Sequence, residues 1–287
     1  MSFKVILYKY LLQWIPDSIW IRIQYRRKVG VWPNLKNPKT FNEKLQWLKL
    51  HDRNPLYTKL VDKYEVKKIV AEQIGDEYII PTLGVWDKFD DIDFDKLPNQ
   101  FVLKCTHDSG GLIVVKDKST LDVKAARKTI NNCVKMNYYW SMREWPYKNV
   151  KPRIIAEKYM EDESGYELKD YKVHCFEGNP CFVQVDFDRF INHGRNIYDF
   201  NWNLQPFEIK YPSNQNHLIK KPVCLDLLQK YATILSKGYR YVRCDFYVVG
   251  DHVYFGEITF YHGSGIEKIK PHEWNEKFGS LLNLGNV

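Results

Sequence analysis

The sequence predicts an α+β protein built on antiparallel sheets, and three observations carry that reading. Strand-like and helix-like stretches alternate irregularly along 287 residues, with no βαβ repeat. The run Tyr241–Gly265, YVRCDFYVVGDHVYFGEITFYHGSG, alternates like a β-hairpin about Gly250, Asp251 and His252. Lys169–Phe190 alternates in the same way about Gly178-Asn179-Pro180. A chain of this length has room for two or three subdomains around one site.

The N-terminal Phe3–Ile23 is apolar and aromatic but interrupted by Lys4, Lys9, Pro16, Asp17 and Arg22. A spanning helix needs about 20 mostly apolar residues, so this stretch is no such span. Arg22, Arg26, Arg27 and Lys28 follow, with Trp14, Trp20 and Trp32 nearby. Residues 3–28 fit a helix packed on its own protein in the first instance, and a helix lying on an anionic membrane surface as the alternative. Pro33–Pro38 is a loop. Thr40 is placed to cap a helix, with Glu43 as reciprocal partner, turning Phe41, Leu45, Trp47 and Leu48 inward.

One helix is expected over Asn54–Ile74, with Leu56, Leu60, Val61, Tyr64, Val66, Ile69 and Val70 as its stripe and Gly75 just beyond. Tyr78–Pro81 and Thr82–Trp86 are β-like, ahead of the acidic run Asp87–Asp95. Strands follow at Phe101–Thr106 and Leu112–Lys116, then a helix over Leu121–Met136 starting from Thr120 or Asp122, then a strand in Arg153–Met160. Leu225–Lys237 is an amphipathic helix ended by Gly238, and a short helix near Pro271–Leu282 closes the chain.

Composition is ordinary for a globular protein, 44% hydrophobic and 27% charged, except that aromatics reach 15%. Such rings suit stacking on sugars or bases, and also large cores. A net charge of +8 favours anionic partners. No RNA-binding signature, zinc finger or basic heptad array is present, so nucleic acid is not an expected partner. The six cysteines form no CxxC pair and several lie in strand-like apolar runs, which predicts free buried thiols. With no signal peptide evident, the expected location is the cytoplasm, with contact at the inner membrane face if residues 3–28 lie on lipid.

The chemistry concentrates in the C-terminal hairpin. With residues 250–252 as its loop, Val249 faces Val253, Asp245 faces Glu257 and Arg243 faces Thr259. Alternation then puts Arg243, Asp245, Glu257 and Thr259 on one side, and Cys244, Phe246, Val248, Tyr254, Gly256 and Ile258 on the other. Opposed carboxylates destabilise a strand pair unless something cationic lies between them. A divalent cation would do so, although a solvent-facing hairpin with two incidental acids has the same pattern.

Earlier in the chain, Lys104-Cys105-Thr106-His107-Asp108-Ser109-Gly110-Gly111 leaves a strand for a glycine loop. Its backbone N–H groups could cradle phosphate beside Lys104, for which no acidic partner is evident. The spacing is not that of a P-loop, and a plain hairpin connection fits too. Ile154–Met160 is a strand entering a hinge, able to read an adenine edge or to serve only as core.

Taken in order, these parts resemble the ATP-grasp enzymes. The strings FNEKLQWLKLHDRNPLYTKLVDKY, FVLKCTHDSGG, DYKVHCFEG and GEITFYHGSG are similar to the TupA-like branch, over about Thr40–Gly265. The resemblance implies ATP-grasp architecture: antiparallel sheets of two subdomains clamping a nucleotide, with a helical N-terminal extension and with ATP and Mg2+ as cofactors. The implied divisions are an amphipathic, basic segment at 1–39, a helical region at 40–100, a lid with the glycine loop at 101–160 and a metal-holding subdomain at 161–287.

The resemblance also implies roles for individual residues. Lys63 and Lys104 would touch phosphates, Ser109, Gly110 and Gly111 would cover them, and Glu157, Lys158, Tyr159 and Met160 would line the adenine pocket. Asp170 and Lys172 would lie near the γ-phosphate, while Asp245 and Glu257 would hold Mg2+. Thr259 stands where most ATP-grasp enzymes have Asn, and is a poorer ligand. Lys172 and Arg243 would neutralise the transferring phosphoryl group. Arg189 and Arg195 are candidates for the acceptor carboxylate or acyl phosphate. His262-Gly263-Ser264-Gly265 could offer backbone donors or be a turn.

Members of the branch are found with bacterial surface-polysaccharide and teichuronopeptide synthesis. The implied reaction joins an amino acid or amine to a carboxylate of a uronic-acid glycan or its precursor, through an acyl phosphate. Three other readings stay open: a kinase of a glycan or sugar hydroxyl, a glycosyltransferase using Asp186-Phe187-Asp188, and a non-enzymatic glycan or membrane adaptor.

Overall fold

In the computed structural model the alternating stretches form two separate antiparallel sheets, one in each of two units. The structure describes residues 12–108, 111–165, 167–188 and 193–285. Ser109, Gly110, Arg189 and the first part of the N-terminal segment, residues 3–11, lie outside the described residues. One unit comprises Met1–Trp20, Arg53–Ile69 and Ile80–Met160; the other comprises Ile21–Asp52, Val70–Ile79 and Glu161–Val287. Helices α1 (Asp17–Val29) and α4 (Glu65–Ile74) carry the chain across that division. Among the described residues, no helix is long and apolar enough to cross a membrane.

The first unit holds a four-stranded sheet in the order β1-β4-β2-β3: β1 Thr82–Trp86, β4 Ile154–Lys158, β2 Phe101–Cys105 and β3 Ile113–Val115. Alternation along β2 buries Phe101, Leu103 and Cys105 with Ala126, Ile130 and Cys133 of α5 (Val123–Val134). Asp122 caps α5 by accepting from the N–H groups of Lys124 and Ala125.

The single helix expected over Asn54–Ile74 is two, α3 (Leu56–Val61) and α4. Asp62 breaks it, because its carboxylate accepts from the N–H groups of Tyr64 (2.8 Å) and Glu65 (3.3 Å). The Lys63 N–H leaves the helix ladder for the Thr106 carbonyl. Tyr64, expected in the apolar stripe, is exposed as a result.

The second unit is built on a five-stranded sheet in the order β10-β9-β5-β6-β7. Its strands are β5 Asp170–Phe176, β6 Asn179–Phe187, β7 Gly194–Tyr198, β9 Tyr241–Val249 and β10 His252–Thr259; β8 (Glu208–Ile209) and β11 (Ile269–Lys270) form a separate small ladder. Val173, Cys175, Val183, Val185, Cys244 and Phe246 are buried on the face covered by α6 (Leu225–Ser236). The opposite face is aromatic at one end, where Phe176 and Tyr241 meet Phe41 of α2 (Phe41–His51) and Phe176 meets Phe278 of α7 (His272–Leu281). At the other end it is ionic.

The Thr40–Glu43 capping box forms as expected. The helix it starts, however, leaves Trp47 half-exposed and buries Gln46 and Lys49, whose side chains donate to the carbonyl of Ser264 at 2.8 Å. The β5–β6 turn also differs. Glu177 (φ 50°) and Gly178 (φ 76°) form it, and Asn179 already pairs with Phe176. Two successive left-handed residues match the twist of a tight hairpin.

The C-terminal hairpin closes more tightly than the sequence suggests. Gly250 and Asp251 alone make the turn, so Val253 pairs with Val248 rather than Val249. A bulge at Gly256 then slips the register, pairing Glu257 with Asp245 and Thr259 with Arg243. Between turn and bulge the inward residues are Val253 and Phe255, not Tyr254 and Gly256; beyond it Ile258 faces inward as expected. Glycine suits the bulge because a Cβ there would lie 3.0 Å from the Asp245 carbonyl oxygen and 3.1 Å from the Tyr247 ring.

Candidate functional site

The ionic face of the five-stranded sheet closes into a ring of side chains. Arg243 Nε and Nη2 donate to the two oxygens of Asp245, each at 2.6 Å. The same Nη2 reaches Glu257 Oε1 at 3.1 Å and Thr259 Oγ1 at 3.2 Å, and Nη1 lies 2.9 Å from His262 Nδ1. A guanidinium can only donate, so His262 Nδ1 accepts and the ring is neutral. Its remaining proton, on Nε2, faces Glu267 Oε2 at 3.3 Å. Arg195 joins Glu267 (3.2 Å) to Asp186 (2.6 and 3.3 Å). Lys172 closes the circle, 3.0 Å from Asp186, 3.3 Å from Asp170 and 3.9 Å from Asp245.

Charge within this ring is unbalanced. Asp170, Asp186, Asp245, Glu257 and Glu267 share three buried cations, Lys172, Arg195 and Arg243, with Lys210 at the rim beside Glu267. Burial pushes the Asp245 carboxyl up to about 6 against the pull of Arg243 and Lys172, and the Glu257 charge adds to the rise. Burial also holds His262 down at about 4. Glu267 stays far below the usual carboxylate range despite its burial, because the His262 donor, Arg195 and Lys210 outweigh it.

Asp245 and Glu257 therefore meet at one guanidinium nitrogen, with the Thr259 hydroxyl alongside. Among the described residues no group of three or more His, Cys, Asp or Glu is arranged to hold a metal. Two carboxylates and a hydroxyl still fit magnesium, which keeps water and phosphate oxygens for its other positions.

The four-stranded sheet of the first unit has the opposite balance. Glu157, on β4, is buried and receives Lys104 of β2 at 2.5 Å and Lys67 of α4 at 2.6 Å. Burial opposes its ionisation, but the two lysines win and keep its carboxyl low. Lys104 thus has the acidic partner that the sequence did not disclose. One carboxylate between two ammonium groups leaves spare positive charge beside the glycine loop's feeding strand.

The foot of that loop is anchored. Lys63 Nζ donates to the Asp108 carbonyl, the Cys133 thiol donates to Asp108 Oδ2 at 2.8 Å, and His107 Nε2 reaches the carbonyls of Cys133 and Met136 at 3.2 and 3.0 Å. Gly111 is tightly packed, since a Cβ there would fall 2.4 Å from Cys133 Sγ. Lys158 is exposed, while Tyr159 and Met160 are half-buried.

The structure thus brings together Asp170, Lys172, Arg243, Asp245, Glu257 and Thr259 in one unit, and Lys63, Lys104, Gly111, Glu157, Lys158, Tyr159 and Met160 in the other. Arg195 is committed to Asp186 and Glu267. Sequence reasoning missed Lys67, Glu267 and the imidazole of His262. Nothing local marks Lys67 or Glu267, since each gains its meaning from a partner far along the chain. His262 sat within a recognised string but was weighed only for its backbone. All six cysteines are free thiols.

Paired acids on one antiparallel sheet and paired lysines at another are in keeping with the ATP-grasp enzymes, a class that uses ATP and Mg2+. The chain belongs to the TupA-like ATP-grasp family, whose sequence model matches residues 43–283.

Among solved structures it is similar to D-alanine–D-alanine ligase from Bacillus anthracis complexed with ATP, with 18% identity over 70% of this chain and 53% of that one, at a TM-score of 0.39. It is also similar to a RimK domain ATP-grasp protein from Sphaerobacter thermophilus, with 11% identity over 78% of this chain and 67% of that one, at a TM-score of 0.42. A third is the ATP-grasp ligase PsnB complexed with minimal precursor, Mg and ADP, with 11% identity over 76% and 57%, at a TM-score of 0.39. The chain spans about half the length of the D-alanine–D-alanine ligase. No curated protein matches it significantly.

Proposed function

We propose that the protein joins an amine to a carboxylate at the expense of Mg-ATP, through an acyl phosphate. The acceptor in this reading is a uronic-acid-containing surface polysaccharide or its precursor, and the amine is an amino acid or simple amine. The observation that carries it is the Asp245–Glu257 pair, bridged by one Arg243 nitrogen within a ring whose acids outnumber its buried bases. The polysaccharide acceptor rests on the family resemblance alone.

Asp245, Glu257 and, through its hydroxyl, Thr259 would hold magnesium, which when bound neutralises phosphate charge. Arg243 keeps both carboxylates side by side and pre-oriented, so little reorganisation remains when the nucleotide arrives. Lys172 and Asp170 flank them. Lys63, Lys67 and Lys104 supply positive charge for phosphates, with Glu157 holding two of these amines in place. Ser109, Gly110 and Gly111 cover the nucleotide, while Lys158, Tyr159 and Met160 lie on its adenine side.

With Arg195 engaged by Asp186 and Glu267, Arg189 is the guanidinium assigned to the acceptor carboxylate. A carboxylate oxygen attacks the γ-phosphorus and ADP leaves. The amine nitrogen then attacks the acyl carbon, inorganic phosphate leaves and the amine proton is lost. Positioning does most of the work in such a transfer.

The test is incubation with Mg-ATP, candidate uronic acids and amino acids, with ADP and amide as products. ADP formed only with a hydroxyl acceptor would replace the ligase with a kinase, and UDP released from a UDP-sugar would replace it with a glycosyltransferase.

A further inference from the structure

Between Ser18 and Asn42 the chain has six cations, Arg22, Arg26, Arg27, Lys28, Lys36 and Lys39, and not one acid. From Ile21 onward this stretch belongs to the second unit, and the structure fixes how it is displayed. Ile21, Gln24 and Tyr25 of α1 are buried, which turns Ile23, Arg26 and Arg27 to the opposite side of the helix. Gly30 then reverses the chain at φ 102°, with open space where a side chain would be. Arg22 Nη1 reaches the Pro33 carbonyl, and Pro33 and Leu35 are buried, so the segment just after the helix is pinned at both ends.

What that pinning presents is Val31 at 59% exposure and Trp32 at 62%, while on α1 itself Ile23 is 42% exposed. The first acid after the stretch, Glu43, accepts from the N–H groups of Asn34, Lys39 and Thr40, which hold it ionised, so it offsets one of the six cations and leaves five.

We propose that this surface docks on an anionic lipid bilayer, with Trp32, Val31 and Ile23 entering the headgroup boundary and the arginines and lysines around them meeting lipid phosphates. An indole and two aliphatic side chains in a segment with a surplus of cations is the composition an anionic interface selects. A soluble polyanion would reward the cations but not three exposed apolar side chains. The docked face is rigid before contact, because its anchors are core residues, so little ordering cost is added on binding.

The experiment is co-sedimentation of the full chain with vesicles of phosphatidylcholine alone or with phosphatidylglycerol, at low and high salt, with polygalacturonate as a soluble competitor. Binding is expected only to the anionic vesicles, weakening as salt rises. Each basic residue near such a surface contributes about a fivefold factor, so Arg26→Gln with Arg27→Gln should weaken binding roughly thirtyfold. Val31→Ser with Trp32→Ser should weaken it at high salt, where the apolar contact dominates.

All four side chains are exposed, so the variants keep the fold, which circular dichroism checks directly. Unchanged binding in both variants would assign the lipid contact to other residues and overturn the proposal. Binding of polygalacturonate through these residues, with no vesicle binding, would make the patch a polysaccharide surface and overturn it too.

Discussion

The two sheets of this protein solve the same problem with opposite signs. On the five-stranded sheet, carboxylates outnumber buried cations around a closed ring, and two of them converge on one nitrogen of Arg243. On the four-stranded sheet, one buried carboxylate, Glu157, stands between two lysines. The first arrangement is short of positive charge and the second has some to spare. A buried charge cluster that is left unbalanced costs stability unless something completes it, so imbalance in a folded protein marks where a charged ligand belongs. In the proposed function the acid-rich sheet would take the cation and the lysine-rich sheet the phosphates.

The sharpest way to break the comparison is to remove the lone acid of the lysine-rich sheet. Glu157→Gln leaves Lys67 and Lys104 buried together without a counter-charge, and should cost about 3–5 kcal/mol in chemical denaturation. A change under about 1 kcal/mol would mean that water, not Glu157, balances the lysines.

Acid should act next, on the ring. His262 is neutral in the fold, with a pKa of about 4 against 6.5 ordinarily, so between those values the unfolded chain binds more protons. Stability therefore rises with pH across that window. It is fully present above about 6.5 and falls by about 3 kcal/mol as pH drops toward 4. Burial shifts His174 in the same direction. Asp245, raised to about 6, holds its proton in the fold over much of the same range and opposes this loss. The readout is therefore the difference between wild type and His262→Gln. The variant should lose less stability from pH 7 to 4, and an identical pH dependence in the two would refute the neutral imidazole.

Glu257→Gln sharpens the comparison from the functional side. Its side chain is 39% exposed, so melting should hardly move, while ATP turnover falls roughly a hundredfold. Gly256→Ala tests the geometry behind it. The added Cβ presses on backbone at 3.0 Å, which should cost about 1–3 kcal/mol and displace Glu257, lowering turnover by more than the stability loss explains. Normal turnover in that variant would show that the bulge is not what aims the carboxylate. Smallest is Thr40→Ala, which opens the capping box of α2 for about 1 kcal/mol and should leave turnover alone.

Much of this could be read in one dimension where the cause is local. The Thr40–Glu43 box, the Asp122 cap, the Gly238 stop and the alternation of Phe101–Cys105 each depend on residues within a turn or two of one another. The facing of Asp245 and Glu257 was also legible, but for a reason that proved incomplete. A three-residue loop and a two-residue turn with a bulge at Gly256 give the same pairing at the acids and opposite burial at Tyr254 and Phe255. The unbroken helix expected over Asn54–Ile74 failed because apolar periodicity continues straight through Asp62, while the carboxylate that interrupts it acts through hydrogen bonds that a hydropathy pattern does not contain.

The chain alone determined the strand Phe101–Cys105, the hairpin Tyr241–Thr259, the capped helices begun at Thr40 and Asp122, which acids share a strand pair, and the family to which those strings belong, because side-chain periodicity and capping are short-range properties. Only the tertiary structure decided that Lys67 joins Lys104 on Glu157, that Glu267 completes a ring through His262 and Arg195, and that Gln46 and Lys49 are buried. Arg195 lies 72 positions from Glu267 and Gln46 lies 218 from Ser264, separations that no short window spans. Strand order and helix packing choose such partners, and what they optimise is the balance of buried charge, a quantity no local window of sequence can measure.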